Sequence, residues 1–72
     1  MNDGMNGGPM ALIRKLDVAA AALLKLAQQV KEVAPEVEDA DLRQEMLESA
    51  VGLEQRAAAM AEAIGQLRVK IN

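Results

Sequence analysis

Cysteine, histidine, threonine and all three aromatic residues are missing from the 72 residues, and Ser49 is the single serine. Without cysteine there is no disulfide and no zinc–thiolate site to support a small fold. Nucleophilic catalysis needs a nucleophile beside a base. Ser49 has only Glu48 next to it and no histidine anywhere to activate it, so the chain is expected not to be an enzyme. No glycine-rich loop runs into a Lys-Ser or Lys-Thr pair that could cradle a phosphate. The longest charge-free run, Gly4 to Ile13, is ten residues, half of them Gly, Asn and Pro, well short of the ~20 apolar residues of a membrane span. Arg14-Lys15 followed by Val18 to Leu24 has the outline of a signal peptide, but Asp17 opens the apolar stretch and Lys25 closes it. The expectation is a soluble, cytoplasmic protein with no membrane association.

What remains is 51% hydrophobic and 26% charged, with a net charge of −3. A chain this short is about half a typical domain. Below ~70–80 residues one core rarely supplies more than ~3–5 kcal/mol. The core must come from 14 Ala, nine Leu, six Val, three Ile and some of five Met. The missing support is therefore expected from association with a further chain.

Residues 1–8 hold three glycines and two asparagines and read as a flexible tail. Pro9 suits the first turn of a helix, where its missing N–H is no loss. Helix 1 is expected over about 9–34, because Pro35 disfavours helical geometry at Ala34 and cannot donate. Residues 35–40 form the connection. Helix 2 is expected over about 41–70, with Asp41 as N-cap, Gln44 closing a capping box, and Asp39 as the competing cap. Gly52 and Gly65 each cost helix 2 about 1 kcal/mol against Ala.

Spacing supports the helices independently of propensity. With Ile13 labelled a, the a positions of helix 1 are Ile13, Ala20, Ala27 and Ala34, and the d positions are Leu16, Leu23, Val30 and Val37. In helix 2 the a positions are Ala50, Ala57, Ile64 and Ile71, and the d positions are Met46, Leu53, Met60 and Leu67. All are apolar, the period of a coiled-coil seam. Small residues at a alternating with larger ones at d let helices approach closely. A short connection makes the two helices antiparallel neighbours. The fold class is all-α: an antiparallel helical hairpin.

One hairpin leaves too much apolar surface. The g positions of helix 1 (Leu12, Ala19, Leu26, Val33) widen its stripe, and helix 2 adds Leu47 and Ala61 at e. Two copies are expected to pair as a four-helix bundle, so the principal partner is the chain itself, with another protein as a further partner. Charge placement orients the pairing. Glu32, Glu36, Glu38, Asp39, Asp41, Glu45 and Glu48 gather at the loop end, whereas Arg14, Lys15, Arg68 and Lys70 gather at the open end. Loops at opposite ends set acidic ends against basic ones. Helix-dipole capping accounts for Arg68 and Lys70 but not for Arg14 and Lys15, which stand at the wrong end of helix 1.

The acidic cluster lacks the spacing of a calcium loop, and no histidine completes a di-iron motif, so no metal or other cofactor is expected. A nucleic-acid binder usually shows a basic stripe or stacking aromatics. With an isoelectric point near 4.8 and no aromatics, that function stands only as the alternative. The Ala-at-a, Leu-at-d hairpin, with Asp39-Ala40-Asp41 and Glu48-Ser49 near its turn, resembles the repressor-of-primer family, whose antiparallel hairpin dimers bind paired RNA loops. The likeness covers about eleven residues. It implies the same packing logic, but no functional residue carries over. The family's RNA face uses lysines, amides and an aromatic where this sequence has Leu12, Ala19, Leu23, Ala27 and Ala34. Four apolar residues outside the seam, Val18, Leu24, Leu47 and Val51, are the candidate contacts for a protein partner, whose helix would dock in a groove.

Overall fold

The computed structural model describes the backbone of residues 8–71 and the side chains of residues 8–70; of the tail expected over residues 1–8, all but Gly8 lies outside these. Two helices run antiparallel, α1 over Pro9–Val33 and α2 over Ala40–Ile71, joined by a 3-10 turn at Ala34–Glu36 and three residues without regular structure. No strand occurs among the described residues. The hairpin is 51 Å along its longest axis and 13 Å along its shortest, a single layer of helices, whereas a stable domain is normally built from two.

Each helix starts for a local reason. Gly8 holds φ 95°, a region that glycine enters without a Cβ penalty. Its carbonyl accepts from the Leu12 N–H at 3.2 Å, and Pro9 occupies the first turn. At α2 the cap is Asp39, not Asp41. Its Oδ1 accepts from the Asp41 N–H at 2.9 Å and the Leu42 N–H at 3.1 Å. The capping box expected from Gln44 is absent, because the Gln44 amide donates to Glu48 instead. With Asp39 as cap the helix begins one residue early, at Ala40.

The reversal also departs from expectation. Ala34 keeps right-handed helical geometry (φ −52°, ψ −42°) and its N–H still donates to Val30. Pro35 is accommodated within the 3-10 turn that follows, and the chain becomes extended only at Val37 (ψ 122°). A proline lacks only its own N–H, so a tighter turn can absorb it at the end of a helix. The connection between the two α-helices, residues 34–39, keeps the expected six residues and is shifted by one toward the N-terminus.

The interior is narrow. The buried residues are Ile13, Ala27, Ala34, Ala50, Ala57 and Ile64: four alanines and two isoleucines, all at a positions. Not one leucine, valine or methionine is buried among the described side chains. With alanine on both sides of the seam, the helix axes can approach to about 8 Å, the lower end of the usual range.

Candidate protein-interaction face

Two ion pairs fix how the helices are turned toward each other. Lys31 pairs with Glu54, and Arg68 reaches Asp17 at 3.3 Å. All four residues are e positions, so the e flanks of α1 and α2 lie side by side and close one face of the hairpin with charge. The same register sets Ala34 opposite Ala50, Ala27 opposite Ala57, and Ala20 opposite Ile64.

That rotation opens the other face. With about 100° per residue, d lies on the side of a away from e, and g lies beyond d. The d residues Leu16, Leu23, Val30, Val37, Met46, Leu53, Met60 and Leu67 are all only half-buried. Beside them the α1 g residues stand out, with Leu12 49%, Leu26 47% and Val33 50% exposed, and Leu42 at g of α2 is 48% exposed. The d positions of both helices and the g positions of α1 form one continuous apolar floor.

The seam positions fall into two groups. Ile13, Ala27, Ala50, Ala57 and Ile64 are buried; Leu16, Ala20, Leu23, Val30, Met46, Leu53, Met60 and Leu67 are half-buried. The e residues Leu47 and Ala61 of α2 do not widen the α1 stripe, because they sit on the opposite, ion-paired face. Val18, Leu24, Leu47 and Val51 are all exposed, but they occupy f, e, e and b positions. The register separates Leu24 from Leu47 by about 20 Å along the axis, so these four do not form one patch.

Sequence reasoning passed over Arg43. It continues the α2 a positions one heptad toward the loop, is half-buried, and its Nε is buried without a hydrogen-bond partner. The heptad itself, extended back from Ala50, would have marked it. Arg68 also differs in its pairing. It is engaged with Asp17 inside the hairpin, which leaves Arg14, Lys15 and Lys70 as the open-end cations outside the two ion pairs.

Little here suggests bond-making chemistry. Ser49 lines a shallow depression with Gly52, Leu53 and Arg56, a setting that supplies no base. No cluster of potential metal ligands occurs among the described residues, and none of their helices is long and apolar enough to cross a membrane. Comparison with protein families, with curated proteins and with solved structures finds no match, so the functional reading rests on the hairpin and its open face.

Proposed function

We propose that this chain is a small non-enzymatic protein-interaction module that acts by presenting a helical surface, as an adaptor, inhibitor, chaperone or assembly subunit. In this reading two hairpins cover each other's open faces and form a four-helix bundle, and the bundle is the binding-competent species in the cytoplasm. One observation carries the reading: the hairpin buries alanine and isoleucine but no leucine, valine or methionine among its described side chains. The large apolar side chains, which supply most hydrophobic stabilisation at ~1.5–3 kcal/mol each when buried, are left for a second layer.

Sedimentation equilibrium tests this, read by interference optics because the protein has no aromatic absorbance at 280 nm. The expected result at micromolar concentration is twice the 7.7 kDa chain mass. An ordered species of one chain mass that melts cooperatively would overturn the proposal. The same absence of aromatics makes absorbance at 260 nm diagnostic. Co-purifying material at that wavelength that salt removes would point to the nucleic-acid alternative, whereas mass growing without limit with concentration would point to a scaffold.

A further inference from the structure

We propose, resting on the bundle reading above, that the occupant of the open face is a second copy set with its loop at the opposite end, α1 lying over α1 and α2 over α2. Lys15 then meets Glu36 of the second copy, and Lys70 meets its Glu45.

A face that pairs with itself must be self-complementary about a two-fold axis. Two axes are available between stacked layers. An axis along the helices places the loops together and α1 over α2. An axis across the helices places the loops apart and α1 over α1. The charges bordering the apolar floor choose between them. At the open end the border carries Lys15 (c of α1) and Lys70 (g of α2). At the loop end it carries Glu36, continuing the c positions of α1, and Glu45 (c of α2). All four are exposed, and none belongs to either ion pair within the hairpin. Loops together would oppose lysine with lysine and glutamate with glutamate. Loops apart oppose unlike charges at every one of these positions, along α1 and along α2 independently. Arg56, at g near the middle of α2, is the exception: with loops apart it lies close to Arg56 of the second copy, so this one contact counts against the arrangement. Exposed pairs are individually weak, but the sign of a charge pattern sets orientation.

Side-chain size pulls the other way: α1 over α2 would set Val33 against the smaller Ser49 and Leu26 beside Arg56, away from the Arg56 of the other copy. The experiment therefore decides between charge and shape.

The test is self-sorting. A charge-swapped chain carries Lys15→Glu, Lys70→Glu, Glu36→Lys and Glu45→Lys. With loops apart, the wild type pairs with itself and the swapped chain pairs with itself, but a mixed dimer has four like-charge contacts. With loops together, the mixed dimer is the favoured one. Equal amounts are unfolded, refolded together at low salt and counted by native mass spectrometry, one chain isotopically labelled. The expected heterodimer share falls from the statistical half to below about a fifth. It should return toward half in ~1 M salt, where the Debye length is about 3 Å. A heterodimer excess, or a statistical half at all salt concentrations, would overturn the arrangement while leaving the bundle intact. Wild type that stays monomeric at 100 μM would instead overturn the bundle reading beneath it. Should the fourfold swap fail to fold, Lys15→Glu with Glu36→Lys alone tests α1 over α1 in the same way and leaves α2 untouched.

Discussion

Leu26→Ala separates a finished hairpin from half of a bundle. Leu26 stands at g of α1, 47% exposed, next to a seam that closes through Ala27. In a lone hairpin the substitution removes only the part of the side chain already covered, about 1 kcal/mol, and alanine's helix propensity returns a few tenths. In a two-fold bundle the exposed half of the side chain is buried in each copy. Half of the ~1.5–3 kcal/mol for a fully buried leucine, counted twice, is about 1.5–3 kcal/mol of association free energy. That is roughly a ten- to hundredfold rise in Kd. Sedimentation equilibrium from 1 to 500 μM measures it directly, and circular dichroism confirms that the helices persist. A Kd unchanged by the substitution would refute the assignment of Leu26 to an interface. Weakened association, with normal helicity at concentrations where the dimer still forms, is the outcome the proposed bundle predicts.

The remaining predictions address the seam and the helix ends. Ala27→Leu places a large side chain opposite Ala57 where both residues are buried; it should cost about 1–3 kcal/mol or change the oligomer, and unchanged mass and melting would mean that the seam does not close there. Asp39→Ala removes the observed cap of α2 and should cost about 1 kcal/mol, more than Asp41→Ala; thermal melts at one fixed protein concentration rank the two, and the reverse order would reassign the cap. A Cβ at Gly65 meets nothing within 4 Å, so Gly65→Ala should stabilise by about 1 kcal/mol, a rise of roughly 4–8 °C in melting temperature. A fall would show that another chain approaches the backbone there.

Much of the hairpin was legible before any coordinates. Pro9, Pro35 and the sustained 3-4 spacing bound both helices to within a residue or two, because an apolar stripe at helical period has nowhere to go but inward. The cap was misplaced because Asp39 and Asp41 are chemically equal candidates, and only the geometry of the turn decides which carboxylate reaches the free N–H groups. Pro35 was given too much weight for a related reason. The steric bias against helical geometry before proline is a preference, and here Ala34 keeps its hydrogen bond to Val30 while the 3-10 turn absorbs the ring.

Heptad labels alone treat a and d as equivalent, and the structure separates them. The labels leave each helix free to rotate by some tens of degrees about its own axis. Two chemical facts remove that freedom. Alanine at a lets the backbones close along that line, whereas leucine or methionine there would hold them apart. The e positions carry complementary charges in the antiparallel register, Asp17 with Arg68 and Lys31 with Glu54, whereas g sets Leu26 near Arg56 and Leu12 near Lys70. The pattern of e charges could have been read from the sequence once the antiparallel register was assumed. It predicts which flank closes and therefore which flank stays open. Leu47 and Ala61 add their apolar surface on the closed flank, because an e residue of α2 cannot share a flank with the g residues of α1.

The same rotation explains why so apolar a chain buries so little. Small residues at a bring the two helices close, and that closeness turns the bulky d residues away from the seam. A seam with leucine at both positions would have hidden its large side chains within one hairpin and left a thinner apolar surface. Alanine at a and leucine, valine or methionine at d instead give a tight interface inside the hairpin that sets its shape and leave the larger side chains on an open face, the face that the proposed second copy would cover. In the proposed bundle the two interfaces are probed by different residues, Ala27 at the seam inside the hairpin and Leu26 at the face between copies.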